Sequence, residues 1–449
     1  MLNGEATTRE LNQDWIDTYS VAPQADKEKT LAIINVIRGL VNRNDILGAV
    51  VEAVENNINT KWRLHWRTAK NRDVENKEKI KEIKKVIEEF LQKIDLPILI
   101  RKSVTTAYMD GNYIMHLKNG GKPMEDDILP EYTVDVYPIG VAQISQYTSG
   151  YNDPIVLIDM NELRSKIRKN YAKNKKNRAI FYEDEEKEVK ATFPKEIVKA
   201  YKDKERYAKL DVAYTGVMRV NNQNLPYGLT PLFRSLESIL MLDALGKADR
   251  MNAKARTKKV LAQYLNKEIL GPTWDKDTYK AQAYAHNTLL AAWSNPVVLV
   301  TCPATVREIK YVEPNAEMTS IDTINYYRNR VMATLGVSFL NINGTSSMTA
   351  SNISVKQLLK EVNKISQQLE SILFKWFKII LRDAGYDPEL APKITIIDSE
   401  AMEADLRMEL ARFMLNTMNS SYESAYEVMG IPFEDELERR DTENEEGID

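Results

Sequence analysis

The sequence predicts a mixed α+β fold, in which one long helix accompanies several short strands. Eight apolar residues recur at alternating spacings of three and four, which is typical of a single packed helix face. They are Val355, Leu358, Val362, Ile365, Leu369, Ile372, Trp376 and Ile379. Short apolar segments, such as 113–117 and 155–158, predict strands. Apolar residues make up 43% of the 449 residues, which is enough for a substantial core.

Charge and composition exclude several classes of function. The chain has 62 Lys and Arg against 65 Asp and Glu, and this net charge of −3 argues against a protein that coats DNA with its whole surface. The single cysteine, Cys302, excludes a disulfide framework and a cysteine-rich zinc site. The three histidines lie far apart in the sequence, and His116 fits a strand better than a metal site. No signal peptide or membrane span is visible, so we expect a soluble intracellular protein or one that is assembled inside a cell.

The usual catalytic motifs are missing. The nearest approach to a phosphate-binding loop ends at Lys122, but His116 stands where its first glycine belongs and Pro123 replaces the metal-binding hydroxyl residue. Acidic runs such as 183–186 are typical of a solvated surface, and Cys302 fits a buried strand end better than a nucleophile. We therefore predict no catalytic residue, no cofactor and no metal. An enzyme whose site lacks a recognised motif remains the alternative.

The first hundred residues predict an arm, helices and a strand. Residues 1–28 are polar and mixed, as expected of an N-terminal arm. A helical stretch over 30–58 should break at 42–45, with Asp45 as the N-cap of its second part. Alternation over 62–67 predicts a strand.

An amphipathic helix and further strands follow. Apolar residues from Ile80 to Ile94 predict a helix that ends at Pro97, and a second helix runs over about 98–108. The turn signal at 110–112 separates this helix from strands. The predicted strands cover 113–117, 134–137, 141–144 and 155–158.

Opposite charges are segregated in the next segment. Residues 164–178 hold eight Lys and Arg and no acid, whereas residues 183–188 hold five acids. These blocks predict an exposed excursion. A self-neutralising surface insertion is favoured over contact with nucleic acid.

A long helix is predicted from Thr230, which can act as its N-cap with Pro231 at the first helical position. It should run to about residue 265. Its first half is apolar, whereas its second half carries a basic face. That face contains Lys247, Arg250, Lys254 and Lys258.

Residues 266–317 predict a compact and separate module with strands at 297–300 and around 306–312. Its aromatic residues are candidates for a core or an interface: Trp274, Tyr279, Tyr284 and Trp293. A helix should begin at Thr319 or Ser320 and end at Gly336.

Residues 337–352 contain no charged side chain, although 28% of the chain is charged. This segment is either an ordinary flexible loop or a loop that is smooth for a functional reason. The helix with the heptad repeat should end near 383–385, before a strand at 394–397. Helices over 400–418 and 421–429 and a tail with nine acids over 434–449 complete the chain.

The order of these elements resembles the portal (head–tail connector) proteins of tailed bacteriophages. Five local patterns carry the resemblance: 44–48 before an apolar helix, 109–114 with a central glycine, 226–232 with Thr where the family has Ser, 335–337 with 343–347, and 420–425 with 429–432. Each pattern is short, and their order along residues 30–440 is the stronger observation.

This resemblance implies a portal fold with a wing of strands and helices, a two-helix stem, a small α/β clip, a tunnel loop before a long wing helix, and a helical crown. The implied bounds are an N-terminal arm 1–28, wing 29–228 with a charged insertion 162–210, first stem helix 229–265, clip 266–317, second stem helix 318–336, tunnel loop 337–352, remaining wing 353–398, and crown with acidic tail 399–449.

The resemblance also implies a non-enzymatic function. Such proteins form a ring, usually of twelve copies, at one capsid vertex, and double-stranded DNA passes through it. The implied partners are the terminase large subunit, the major capsid and scaffolding proteins, and head–tail adaptors; no membrane is implied. Residues expected to line the channel are Asn341, Asn343, Gly344, Thr345, Ser346, Ser347, Met348 and Thr349. Another capsid or connector structural protein is the alternative.

Overall fold

A computed structural model describes most of the chain and confirms the mixed α+β class. The described residues are 12–66, 74–119, 132–148, 153–176, 185–222, 225–256, 260–265, 276–294, 306–312, 318–336, 348–397 and 404–416, together with 422, 425, 426, 436 and 440. The chain forms two compact units. The first comprises Met1–Ser238 with Asn329–Asp449, and the second comprises Ile239–Arg328.

The described chain opens with three helices: α1 (Gln13–Ser20), α2 (Lys27–Val41) and α3 (Asp45–Asn57). The predicted break between α2 and α3 is confirmed, but its cap is not Asp45. The side chain of Asn44 is the N-cap, because it accepts hydrogen bonds from the backbone N–H groups of Ile46 and Leu47. Asp45 lies in the first turn of α3.

The predicted N-terminal arm is wrong for residues 12–28. This segment forms α1 and the start of α2, and Ile16 is buried. The buried Gln24 lies between α1 and α2 and binds two backbone groups of a distant segment. Its side-chain amide donates to the backbone carbonyl of Asn221, and its backbone carbonyl accepts from the N–H of Tyr227 at 3.1 Å. These partners lie some 200 residues away in the sequence, so local composition gave no sign of them.

Two further helices are α4 (Val74–Lys93) and α5 (Leu96–Asp110). The predicted apolar face of α4 is confirmed, because Ile83, Ile87 and Phe90 are fully buried. Pro97 does not end this helix. It lies in the first turn of α5, where its missing N–H costs nothing because that position has no intrahelical acceptor.

The predicted strands form small antiparallel sheets together with two strands that were not predicted, Tyr207–Lys209 and Thr215–Arg219. One contains β2 (Asn112–Asn119), β3 (Tyr132–Tyr137) and β7 (Thr215–Arg219) in the order β3-β2-β7. Another contains β4 (Ala142–Thr148), β5 (Pro154–Asp159) and β6 (Tyr207–Lys209) in the order β4-β5-β6. A third pairs β1 (Trp62–His65) with β10 (Lys393–Ile396).

The charged segment is folded, and its interpretation as an exposed excursion is wrong for the described residues. It forms α6 (Met160–Lys176), α7 (Glu185–Thr192) and α8 (Lys195–Lys202). Apolar side chains between the charges are buried in one core with β4 and β5: Leu163, Ile167, Val189, Ile197, Ala200 and Leu210. Lys118 of β2 caps α7 by donating to the carbonyls of Ala191 at 2.6 Å and Thr192 at 2.8 Å.

The predicted heptad helix is confirmed as α12 (Met348–Asp383), a helix of 36 residues. Seven of its eight predicted seam residues are buried, and the side chain of the eighth, Val355, lies outside the described residues. The helix packs closely on β7, because a side chain at Gly216 would collide with Ile372. Lys375 fixes the neighbouring turn by donating to the carbonyls of Val212 and Thr215.

The long helix predicted from Thr230 is shorter than expected. A turn of 3₁₀-helix at Pro231–Ser235 leads into α9 (Leu236–Arg256). Residues predicted as its continuation form β8 (Val260–Leu265), which pairs antiparallel with β9 (Val306–Val312). These mostly apolar residues form a strand because β9 supplies a hydrogen-bonding partner, and that partner is over 40 residues away.

The rest of the second unit includes α10 (Lys276–Ser294) and the start of α11 (Ile321–Leu335). The predicted cap and stop of α11 are confirmed. Ser320 Oγ accepts from the N–H of Thr323 at 3.2 Å, and Gly336 has a φ of +69°. The predicted strand at 297–300 and Cys302 lie outside the described residues.

Two C-terminal predictions are resolved in part. The predicted loop 337–352 is wrong for 348–352, which lie in α12, and 337–347 lies outside the described residues. The helix predicted over 400–418 is confirmed as α13 (Ala404–Asn416). Most of 417–449 is not described. In the part of the chain that is described, no helix is both long and apolar enough to cross a membrane.

Candidate functional site

Two of the short sequence patterns meet at the entry to α9. The turn after α5 contains Gly111 in a left-handed conformation, with a φ of +76°. Its carbonyl accepts from the N–H of Val220 at 2.9 Å, and the carbonyl of Val220 accepts from the N–H of Leu229 at 2.7 Å. A side chain at Gly228 would collide with the backbone of Gly111 and Val220. Both glycines are therefore required by a close approach of three backbone segments.

Asn112 completes this junction. Its side chain donates to the carbonyl of Gly228 at 2.9 Å and accepts from the N–H of the same residue at 2.7 Å. Thr230 then begins the 3₁₀ turn before α9, because its Oγ1 accepts from the N–H of Leu232 at 3.1 Å, as the sequence predicts. The direction of the chain entering α9 is thus fixed by paired backbone groups.

An ion pair braces the same turn. Arg38 of α2 holds Asp110 at the end of α5 through two parallel hydrogen bonds, Nε to Oδ1 at 2.9 Å and Nη2 to Oδ2 at 2.5 Å. Burial raises the pKa of Asp110, and the hydrogen bonds and charge of Arg38 act against this rise. The same hydrogen bond raises the pKa of Arg38. We take the pair as charged, since the guanidinium contacts both carboxylate oxygens.

The basic face predicted on α9 is present. Lys247, Arg250 and Lys254 are exposed and follow spacings of three and four, which place them on one side of the helix. Lys247 contacts Asp243 at 2.7 Å, so the face is partly neutralised. Lys258 lies outside the described residues.

The predicted interface aromatics are only partly described. Tyr279 and Tyr284 are both about two-thirds exposed on α10, at 67% and 66%, so neither belongs to a core of the isolated chain. A spacing of five places them on different sides of the helix. Trp293 lies in α10 but its side chain is outside the described part of the structure, as is the whole of Trp274.

The predicted channel residues can be judged only at one end. Met348 and Thr349 lie in the first turn of α12, so their assignment to a loop is wrong. The remaining predicted channel residues, 341, 343 and 344–347, lie outside the described residues. Their grouping therefore stays a prediction.

His116 is a core residue of β2, as the sequence predicts. Its Nδ1 lies 3.0 Å from Thr215 Oγ1, and that hydroxyl donates to the carbonyl of Asp211 at 2.6 Å. Nδ1 is therefore assigned as the protonated nitrogen that donates to Thr215. Burial lowers the pKa of His116 to about 4, so it is neutral at pH 7. Within the described residues, no group of three or more His, Cys, Asp or Glu could hold a metal ion.

The sequence did not predict the pair of hydrogen bonds between Asn112 and Gly228. The two residues are 116 positions apart, so no local pattern connects them. The available signal was that Asn112 follows the turn glycine Gly111, and that Gly228 is the glycine of another pattern already singled out. Such paired turn motifs are candidates for a shared backbone junction.

Comparison with known proteins gives a likeness of fold. No protein-family model matches the chain, and no curated protein matches it. A solved structure described as the neck of a native gene transfer agent (GTA) particle computed with C12 symmetry matches with a TM-score of 0.51 at 10% identity, over 89% of this chain and 93% of that chain. The neck of an empty GTA particle computed with C6 symmetry matches with a TM-score of 0.50 at 12% identity, over 90% and 93%. This chain therefore has the fold of a protein found in the neck of phage-like particles.

Proposed function

We propose that this chain is a portal protein, the head–tail connector of a tailed phage or phage-like particle. It forms a ring of identical subunits at one capsid vertex, and double-stranded DNA passes through the central channel during packaging and ejection. The observation that carries the proposal is the fold likeness to particle-neck chains, which extends over about nine-tenths of each chain. The order of the short sequence patterns supports it independently.

The elements then have proposed roles in the ring. Residues 29–228 and 353–398 form the wing, α9 and α11 form the stem, and the segment containing β8, α10 and β9 forms the clip. The uncharged segment up to residue 347 forms the tunnel loop, and 399–449 forms the crown.

The neutral segment suits a channel because DNA must slide through it. A ring of Lys or Arg would bind phosphates with release of counterions and would slow movement. Hydroxyl and amide side chains contact DNA weakly and without sequence preference. Asn341, Asn343 and residues 344–347 therefore line the channel in this proposal.

The two exposed surfaces of the second unit suit protein contacts. The basic face of α9 contacts neighbouring subunits or the surrounding major capsid and scaffolding proteins. Tyr279 and Tyr284 contact a neighbouring subunit, the terminase large subunit or a head–tail adaptor, because exposed tyrosines are enriched at interfaces. The terminase supplies the ATP-driven motor, since the sequence has no phosphate-binding loop.

The first test is the assembly of the purified protein. We expect a native mass of roughly twelve times the 51.5 kDa chain and a ring with a central hole in negative-stain images. A monomer should convert to such rings when co-expressed with the scaffolding and capsid proteins of its own particle. A compact dimer or tetramer without a hole, or a monomer that stays monomeric in that co-expression, would contradict the proposal.

A further inference from the structure

The folded charged segment is strongly basic within an acidic protein. Residues 162–210 contain sixteen Lys and Arg against nine Asp and Glu, whereas the whole chain has a net charge of −3. Because α6, α7 and α8 share a core with β4 and β5, the described charged residues of these helices are held on a folded surface. The sequence alone favoured a self-neutralising insertion. The fold shows which of the described lysines lie close to an acid and which do not.

The first row of charges lies on α8. Lys195, Lys199 and Lys202 are exposed and follow spacings of four and three, so they form one stripe. Ile197 and Ala200 on the opposite side are buried in the core. The stripe spans about 10 Å, a length over which duplex DNA presents roughly six phosphates.

The second row lies on the neighbouring helix α6. Lys166 and Lys169 are exposed, whereas Leu163 and Ile167 of the same helix are buried. Arg164 joins the two helices, because its Nη2 donates to the carbonyl of Ala200 at 3.1 Å and its guanidinium lies over the ring of Tyr201. The two lysine rows are therefore on adjacent helices.

Glu162 and Glu196 lie one helical turn from Lys166 and Lys199, but the described acids form no close ion pair with these rows. Glu185 is occupied by Tyr201, whose hydroxyl donates to it at 2.5 Å, and by Arg168 at 4.0 Å. In the described part of the chain, the five lysines of the two rows form no ion pair with any acidic residue. Their positive charge is therefore available to an external anion.

We propose that α6 and α8 form a second DNA-binding surface, which contacts the phosphate backbone of duplex DNA outside the proposed channel. Lysine is depleted in protein–protein interfaces, whereas Lys and Arg provide the contacts to DNA phosphates. No row of exposed aromatic residues accompanies the lysines within the described residues, so a surface for stacking single-stranded bases is missing. The contact is independent of DNA sequence. Binding requires the folded protein but not its assembly into a ring.

The test measures binding of the full-length protein to a 30-base-pair duplex by fluorescence anisotropy at several salt concentrations. The variant K166Q/K169Q/K199Q/K202Q should bind at least tenfold more weakly at low salt. The slope of log affinity against log salt should also become shallower by about three to four. All four positions are exposed, so the variant should fold, and circular dichroism with a denaturation curve checks this.

A matched control removes the same charge elsewhere. The variant K79Q/K81Q/K84Q/K85Q changes four exposed lysines of α4 and should bind DNA within about threefold of the parent. A third variant, K247Q/R250Q/K254Q, separates binding at α9 from binding at α6 and α8, and should leave the α6–α8 contribution intact.

Several results would overturn the proposal. One is unchanged affinity in the α6–α8 variant, and another is equal loss in the α4 control, which would mean that only net charge matters. A parent protein that binds anionic phosphatidylserine vesicles or a peptide of residues 434–449 but not the duplex would assign the surface to a membrane or to an acidic protein segment. The ring is tested separately by native mass, so each proposal can fail alone.

Discussion

The side chain of Asn112 binds both polar groups of Gly228, donating to its carbonyl at 2.9 Å and accepting from its N–H at 2.7 Å. Asn112 begins the strand that follows α5, and Gly228 lies just before the turn that leads into α9. The pair therefore connects the sheet that contains β2 to the turn before α9, across 116 residues of sequence. Both residues are buried, and Asn112 is only 3% exposed.

Substituting Asn112 by Ala should lower the free energy of unfolding by about 2–4 kcal/mol. The substitution leaves the N–H and carbonyl of Gly228 buried without partners, and each such group costs about 1–3 kcal/mol. Urea denaturation at a fixed protein concentration measures the change. A loss below about 0.5 kcal/mol would show that water replaces the amide. It would contradict a stabilising role for the buried hydrogen bonds between Asn112 and Gly228.

Substituting Gly228 by Ala should destabilise the protein by more than about 2 kcal/mol, because the new methyl group would collide with backbone that has no room to move. Gly39 is the matched control. It lies inside α2 with nothing within 4 Å of its position for a side chain, so Gly39→Ala should be neutral or stabilising by up to about 1 kcal/mol. Similar effects of the two substitutions would argue against the close approach.

Substituting Arg38 by Met should destabilise the protein by about 2–3 kcal/mol at pH 7, because the carboxylate of Asp110 would stay buried without a partner. This is less than the usual cost of about 3–5 kcal/mol for breaking a buried ion pair, since the Arg38 side chain is 39% exposed. Adding Asp110→Asn to the variant should recover part of the loss, which a double-mutant cycle measures. The loss should also shrink in acid, because burial raises the pKa of Asp110 and favours its protonation. If the effects of the two substitutions on the free energy of unfolding simply add, the proposed coupling between Arg38 and Asp110 is contradicted.

His116 should make the protein less stable as the pH falls from 6.5 towards 4. Burial lowers its pKa from 6.5 in the unfolded chain to about 4 in the folded protein, so the unfolded chain binds the additional proton in this range. Stability from this residue is complete above pH 6.5 and falls by about 3 kcal/mol by pH 4. The variant His116→Asn keeps a donor near Thr215 and should lose less stability over this range. Parallel curves for both proteins would show that His116 is not responsible.

Deleting residues 341–347 should leave ring assembly intact and impair packaging or retention of DNA. The deletion stops at 347 because α12 begins at Met348. Negative-stain imaging measures assembly, and a nuclease-protection assay on assembled particles measures packaged DNA. A seven-residue Gly-Ser replacement is the control and should restore packaging in part, because it is also uncharged. Loss of ring assembly in the deletion variant would instead make this segment structural.

The sequence determined the elements whose signal is local. The repeat from Val355 to Ile379 specified one long helix because its apolar residues recur with the period of a helix face. The strands around Tyr113 and Ile155 followed from short apolar runs, and Thr230 and Gly336 marked helix ends through their backbone chemistry. These features depend on neighbours within a few residues, which the sequence displays directly.

Tertiary structure decided the features that depend on distant partners. Residues 260–265 became a strand rather than helix because β9 offers hydrogen bonds more than 40 residues away. The described parts of the charge blocks, in α6 and α7, folded because β4 and β5 cover the apolar side chains between the charges. Asn112 and Gly228 met because two turns approach at one point. Charge and propensity are local properties, whereas burial is a property of the whole fold, and burial determined the outcome in each case.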